Sequence, residues 1–333
     1  MKRQKKWLIA LILSGLISVT IFLSLMIGST NYSFQTIVDA AFHFDPENME
    51  HQILLNSRVP RALGALLVGA AISMSGSLMQ GMTRNYLASP SIMGVSDGSI
   101  FAITLSMIFL PQASSITLIF LSFLGSLFGM TLVYVLATLI PGGMSPISLA
   151  ILGTVLGMFL SGVSQALSTY FQVSQSISFW YNTRLHQIDP VMLKIAFPVV
   201  LIGLIGVFYV TRSITAISLG DDVALGLGVP VIRMKIVTII SVALLTGISV
   251  ALVGKVTFIG LVIPHVVRYL IGEDYKKIVP MSALAGAIFL ALADVISRVV
   301  NPPFEMPVGV VTALVGVPYF LYLIRRNGGQ QRA

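Results

Sequence analysis

Long apolar runs dominate this 333-residue chain and constrain its fold more than any other feature. A bilayer core needs about 20 consecutive apolar residues for each spanning helix. Only 10% of the residues are charged, whereas soluble domains carry about 25%. The sequence therefore predicts an all-α polytopic membrane protein with about ten transmembrane helices, near residues 7–28, 60–81, 91–110, 114–140, 146–170, 191–211, 233–253, 258–271, 278–298 and 307–325.

The distribution of arginine and lysine predicts the orientation of these spans. With an uncleaved first helix and the N-terminus inside, 14 of the 20 basic residues fall on the cytoplasmic side. Arg184, Lys194, Lys255 and the arginines at 58, 61 and 298 then lie outside or near the outer edge. We therefore expect both termini in the cytoplasm, and we interpret the net charge of +8 as this bias rather than as a nucleic-acid surface. Residues 1–333 are expected to form a single transmembrane domain, with an external loop at about 29–57.

A short polar stretch, residues 213–235, lies between two of the apolar runs and falls on the cytoplasmic side. Asp221 or Asp222 can cap a helix by accepting hydrogen bonds from its first free amides. Gly228 followed by Pro230 ends that helix. The apolar surface between these signals consists of Val223, Ala224, Leu225 and Leu227. Such a helix either docks into a groove on a partner or is an ordinary amphipathic loop, and residue chemistry alone leaves both interpretations open.

Three other patterns carry chemistry that has to be weighed. Residues 94–98 read GVSDG, which matches the G-x-S-x-G pattern of nucleophilic serines, with Ser96 as nucleophile and His265 as the base that an intramembrane serine protease would need. The pattern is short in a glycine-rich chain, so chance is the favoured explanation. Asp294 and Arg298 have the i,i+4 spacing of an ion pair, which favours a structural role over a proton relay. No metal site is expected, because no second ligand stands at a suitable spacing from His265, and the absence of a G-x-x-x-x-G-K-[ST] motif excludes a P-loop ATPase.

Several stretches in order along the chain resemble one known family. They are RVPR at 58–61, SGSLMQGMTRNYLASPSIMGVSDG at 75–98, LGDDVALGLGV at 219–229, GKVTFIGLVIPHVVRYLIGEDYKKIVP at 254–280, ALADVISR at 291–298 and EMPVGVVTALVGVPYFLYL at 305–323. On these residues the chain resembles the membrane-spanning permeases of ATP-binding-cassette importers for iron–siderophore, haem and cobalamin.

The resemblance implies partners for this chain. The expected assembly has a second permease subunit, either identical or related, two cytosolic ATPase subunits and an extracytoplasmic binding protein. ATP and magnesium would bind the ATPases, and no cofactor would bind this chain directly. The resemblance also places the coupling helix that contacts the ATPases between the sixth and seventh spans, here Leu219, Gly220, Asp221, Asp222, Val223, Ala224, Leu225, Gly226, Leu227 and Gly228.

The resemblance further implies a docking site, a cargo and a location. Arg58, Arg61 and Arg298 match the external positions that receive carboxylates of the binding protein. The expected cargo is an iron–siderophore complex, with haem or cobalamin as the alternative, and the expected location is the bacterial cell membrane. Two alternatives from other classes are the serine protease using Ser96 and His265, and a carrier driven by an ion gradient.

Overall fold

The structure is a computed structural model, and it describes residues 3–330 except 29, 87, 144, 182–184 and 303. These residues form fourteen α-helices and no β-strand. The helices are α1 (Arg3–Met26), α2 (Phe34–Phe42), α3 (Met49–Ile53), α4 (Val59–Thr83), α5 (Val95–Phe109), α6 (Ser115–Leu139), α7 (Pro146–Tyr170), α8 (Ser174–Tyr181), α9 (Pro190–Leu219), α10 (Asp221–Gly226), α11 (Val231–Val253), α12 (Ile259–Ile271), α13 (Tyr275–Val299) and α14 (Val308–Gln330). A π-helical turn, Leu54–Arg58, joins α3 to α4.

Ten of these helices coincide with the ten predicted spans. Six are long and apolar enough to cross a membrane, namely α4, α6, α7, α9, α11 and α13. Shorter apolar stretches of α1, α5, α12 and α14 account for the other four. The prediction of an all-α polytopic fold with about ten membrane helices is confirmed.

Polar residues before several helices explain where those helices begin. Ser114 and Ser145 accept hydrogen bonds from the backbone amides three residues further on, and Asp189 does the same for Met192. Each side chain satisfies one of the amides that a helix start leaves without a partner. Pro190 follows Asp189 directly, at a position where the missing N–H costs nothing.

Close approaches between glycines hold the bundle together. A Cβ at Gly76 of α4 would lie 1.8 Å from the carbonyl oxygen of Gly260, and one at Gly69 would lie 2.3 Å from that of Gly286. The backbone of α4 therefore touches α12 and α13 directly. Because lipid supplies no hydrophobic force between helices, such close packing is a main source of their association. Gly98 of α5 meets Gly125 and Gly129 of α6 in the same way, so this pair of glycines on α6 lies at a helix interface.

Three segments differ from the sequence-based expectation. The predicted external loop 29–57 contains α2 and α3. Helix α9 continues to Leu219, eight residues beyond its predicted end, because a helix need not stop where hydropathy does. The polar stretch 213–235 is therefore mostly helical, and only about ten residues separate α9 from α11. Helix α12 has 13 residues, or about 20 Å, and closely matches its short predicted span 258–271.

Candidate coupling and docking sites

Helix α10 lies in the short connection between α9 and α11. It starts directly after Gly220, whose φ of 138° lies where side-chain-bearing residues are rarely found. Gly228, with φ of 77°, reverses the chain after the helix, and Pro230 follows. The predicted short helix and its termination signals are thus present.

Apolar side chains are exposed on α10 and at the residues next to its two ends. Leu225 is 58% exposed and Leu227 is 68% exposed, and Val223 and Leu219 are also exposed. Ala224 is fully buried, so it belongs to the side that packs on the protein rather than to the exposed surface. An exposed apolar surface beside an open turn is typical of a protein-binding site. We call Leu219, Val223, Leu225 and Leu227 the α10 surface.

The two aspartates act differently from the predicted cap. Neither side chain caps α10, because the cap position is occupied by Gly220, which has no side chain. Asp221 instead accepts a hydrogen bond from Lys235 Nζ at 2.6 Å, and its other oxygen lies 3.9 Å from Arg84 Nη2. Both aspartates still lie in the first turn, where negative charge suits the helix dipole. Asp221 therefore ties α10 to α11 and to the end of α4.

A buried polar cluster beside this connection was not predicted from the sequence. Arg268, 8% exposed, donates to Gln80 Oε1 at 3.1 Å and to the Tyr275 hydroxyl at 2.9 Å, and its guanidinium stacks 4.2 Å from the Tyr86 ring centroid. Tyr86 OH donates to Glu273 at 3.2 Å. Burial, followed by the charge of Glu273, raises the pKa of Tyr86. The one signal in the sequence is a basic residue in the last turn of an otherwise apolar helix.

The opposite pole of the bundle contains a buried charge network. Arg61 donates from Nε and Nη2 to Asp294 Oδ1 at 3.0 and 2.8 Å, and from Nη1 to Glu305 at 2.9 Å. Arg298 also donates to Asp294, which confirms the predicted i,i+4 ion pair, and to the carbonyl of Ser24 at 2.9 Å. Asp294 is fully buried. The network joins α1, α4 and α13.

Arg58 forms a second attachment to α1. Its guanidinium donates to the carbonyls of Leu25, Met26 and Thr30 and stacks 4.2 Å from the Tyr32 ring centroid. The three arginines predicted to receive the binding protein are only 4–7% exposed. Most of their donors are directed to acceptors within the chain, so an incoming carboxylate would have to compete with these.

Glu305 is the accessible member of the charge network, since its side chain is 34% exposed. It lines an open cavity of about 450 Å³ together with Arg61, Phe179, His186, Met306, Pro307 and Val308. Its partial burial opposes ionisation, but the hydrogen bond and charge of Arg61, with Arg298 and His186, hold the pKa of Glu305 below its usual value.

The residues of the protease alternative lie in ordinary packing positions. Ser96 is 2% exposed in the first turn of α5. The His265 ring packs between the rings of Tyr86 and Tyr319, each 6.3 Å away. Among the residues that the structure describes, no cluster of three histidine, cysteine or acidic side chains is suited to hold a metal ion.

The helix arrangement defines a multi-pass membrane protein. The sequence profile of the FecCD transport family matches residues 16–326, and the chain belongs to that family. It is thus a transport permease subunit of ATP-binding-cassette type. The protease and carrier alternatives are not favoured.

Curated relatives match along nearly the whole chain. The iron-uptake system permease protein FeuB of Bacillus subtilis is 51% identical over 330 residues, which cover 98% of this chain and 99% of that protein. The iron(3+)-hydroxamate import system permease protein FhuB of the same organism is 42% identical, covering 92% and 80% respectively. A solved metal-chelate type ABC transporter in an inward-facing conformation is 28% identical with a TM-score of 0.79, covering 94% of this chain and 97% of the other.

Proposed function

We propose that this chain is the permease through which an iron–siderophore complex crosses the bacterial cell membrane. Relatives named for iron uptake and for iron-hydroxamate import support this cargo over haem or cobalamin. The observation that carries the ATP-driven mechanism is the α10 surface: a chain without an ATP-binding motif exposes apolar side chains to which a separate ATPase can bind. In this proposal residues 1–333 act as one permease unit with both termini in the cytoplasm, supported by the even number of spans and the bias of basic residues.

The proposed assembly has four kinds of component. A second permease subunit, identical or related, completes the path between two bundles. Two cytosolic ATPases bind ATP and Mg²⁺ and contact the coupling segment 219–228, in which Leu219, Val223, Leu225 and Leu227 bury their exposed side chains. An extracytoplasmic binding protein delivers the cargo.

We propose that closure of the ATPases moves α10 and that Asp221 passes this movement to the membrane helices. Asp221 joins α10 to α11 through Lys235 and faces Arg84 at the end of α4. Because α10 follows α9 after one glycine, a displacement of α10 also moves α9. The buried Arg268 cluster connects α4 to α12 and α13, so these helices respond together.

The docking role of Arg58, Arg61 and Arg298 is also proposed. Arg61 is the strongest candidate of the three, because it lines the open cavity beside Glu305. A carboxylate of the binding protein can replace Glu305 on the Arg61 fork without disturbing the buried Asp294 pair. Charge reversal at Arg61 would leave Asp294 facing a second carboxylate, so a docking test needs a milder change. We expect Glu305→Lys, which places a cation at the mouth of the cavity, to alter binding-protein affinity while Glu305→Gln has a smaller effect.

The test is uptake by the complete complex in proteoliposomes. Radio-iron chelates of trihydroxamate, tris-catecholate and citrate are each offered through the matching binding protein, with haem and cobalamin as comparisons. We expect ATP-dependent accumulation of at least one iron chelate and none with an ATPase partner that cannot hydrolyse ATP. Uptake that persists without ATP, or uptake of haem or cobalamin alone, would contradict the proposal.

A further inference from the structure

A polar site lies beside the middle of α7, away from both sites described above. Ser161 Oγ on α7 donates to Asp97 Oδ1 at 2.9 Å. A Cβ at Gly157, one turn earlier on α7, would lie 2.6 Å from Asp97 Oδ2. Asp97 itself belongs to the first turn of α5. Its carboxylate therefore contacts α7 at two successive turns.

These contacts give the depth of Asp97 in the membrane. Gly157 is 11 residues from the start of α7 and Ser161 is 9 from its end. At 1.5 Å per residue these two contacts lie about 16–23 Å from the start of α7 and about 13–20 Å from its end, so they bracket its middle. The bilayer core is about 30 Å thick. Asp97 is thus close to the midplane, and the same holds for any group in contact with it.

Lys255 is such a group, and much of it is exposed. Its Nζ lies 4.0 Å from Asp97 Oδ1, and its side chain is 42% exposed whereas that of Asp97 is 18% exposed. The contact with Asp97 thus favours a deeper position for Lys255 than the outer edge predicted from the charge bias. An ammonium exposed to lipid at this depth costs about 3 kcal/mol or more.

The backbone around Lys255 also requires water or protein contact. Residues 254–257 are not helical, although they lie between the membrane helices α11 and α12. Irregular backbone at membrane depth occurs only where it is buried in protein or lines a water-filled cavity. Gly254 and Val256 on either side are buried, so Lys255 alone of these three faces outward. The exposed part of Lys255 therefore faces water or a partner subunit and not lipid.

We propose that Lys255 lines the cargo path at mid-membrane and contacts the anionic oxygens of an iron chelate as it passes. Its pair with Asp97 is at the limit of ion-pair distance, so Nζ can turn to the cargo, while Ser161 holds Asp97 in place as the resting counter-charge. The site favours negatively charged chelates such as tris-catecholate over neutral trihydroxamate. This inference rests on the function proposed above, because it assigns part of that cargo path.

The absence of cysteine from the chain makes the water-filled position directly testable. In the assembled complex, the Lys255→Cys variant is treated with the water-soluble reagent sulfonatoethyl methanethiosulfonate. Ile202→Cys on α9 is the matched control, since Ile202 is 60% exposed near the middle of an apolar span. We expect Cys labelling at 255 to be at least about tenfold faster, because an apolar environment raises the thiol pKa and removes the reactive thiolate. Equal or slower labelling at 255 than at 202 would overturn the proposal.

The charge itself is tested by restoring or reversing it on the same thiol. Aminoethyl methanethiosulfonate attaches an ammonium through a disulfide, and the sulfonatoethyl reagent attaches an anion of similar size. We expect Lys255→Cys to lower uptake of radio-iron tris-catecholate about tenfold and to spare the trihydroxamate chelate. The ammonium should restore uptake and the sulfonate should not. Identical effects of the two reagents, or transport confined to the neutral chelate, would overturn the role of the charge.

The parent complex separates this inference from the function on which it rests. Because the parent chain has no thiol, any effect of the reagents on it reports cysteines of the partner subunits. If the untreated parent shows no ATP-dependent uptake of any iron chelate, the proposed function fails. If the parent transports tris-catecholate, and the Lys255→Cys variant transports it equally well and is labelled no faster than Ile202→Cys, only the inference about Lys255 fails.

Discussion

Replacing Asp294 by asparagine tests how far buried charge pairing stabilises this bundle. The substitution keeps the shape of the side chain and removes its charge. Asp294 is fully buried and contacts both Arg61 and Arg298, which are themselves 7% and 4% exposed. Among the residues that the structure describes, the change therefore leaves the carboxylate of Glu305 to balance two nearly buried guanidiniums.

The contacts of Asp294 give the expected loss in the free energy of unfolding. Removing one partner of a buried ion pair costs about 3–5 kcal/mol, because the remaining charge is left uncompensated in a poorly solvated site. Glu305 contacts the same Arg61 but is one-third exposed, so Glu305→Gln should cost only about 0–1 kcal/mol. Two carboxylates on one guanidinium are thus expected to differ several-fold in their contribution to the free energy of unfolding.

Equilibrium unfolding in mixed micelles measures this difference, with the fluorescence of the buried Trp180 as a native-state signal. Asp294→Asn combined with Arg298→Met removes one negative and one positive charge together. We expect this double variant to be more stable than the sum of the single changes predicts, with a coupling of about 1–3 kcal/mol. An Asp294→Asn variant as stable as Glu305→Gln, or strictly additive changes, would refute the reasoning.

Three further outcomes are expected. Leu225→Asp places a charge on the exposed α10 surface. ATP-driven uptake and co-purification of the ATPase should both fall about tenfold or more, while the free energy of unfolding stays unchanged. Normal co-purification would contradict the proposed contact between α10 and the ATPase. Gly76→Ala should prevent folding or destabilise the chain by several kcal/mol. Gly162→Ala should change the free energy of unfolding by about 1 kcal/mol or less, because an added Cβ there would meet no atom within 4 Å. Similar yields of folded protein from the two variants would contradict this. Because the folded-state pKa of Glu305 is lowered by Arg61, its stabilisation is present above the unfolded-state pKa of 4.5 and is lost as pH falls through the lower folded value. The stability difference between the parent and Glu305→Gln should thus shrink on acidification, and a difference independent of pH would count against the pairing.

The membrane-spanning helices were predictable because a segment that crosses the bilayer core must be apolar. Each apolar run had to become a helix, since no water in the bilayer core satisfies free backbone groups. That rule ends at the membrane surface, so the extension of α9 to Leu219 and the helices in 29–57 could not be predicted from it. Within the coupling segment, the exposed Leu225 and the turn at Gly228 followed from local residue chemistry.

Features that depend on distant contacts were predicted less well. The sequence predicted the Asp294–Arg298 pair because both residues lie on one helix. It did not predict that Arg61, 233 positions away, shares the same carboxylate, and so it placed the arginines on an open surface. Asp221 was expected to cap its own helix, whereas its partner Lys235 lies on the next one. The depth of Lys255 depends likewise on Asp97, which is 158 positions earlier.

The length of α9 has a mechanical consequence for the permease. Its 30 residues make a rod of about 45 Å, which is longer than the bilayer core is thick. One end adjoins α10, and the other begins at Pro190, next to Ile188, which packs against Gly64 of α4. If the rod tilts by about 5° about one end, the other end moves about 4 Å. A small movement at the α10 end can thereby reach the opposite membrane surface in a single step, unless the rod bends at Pro198 first.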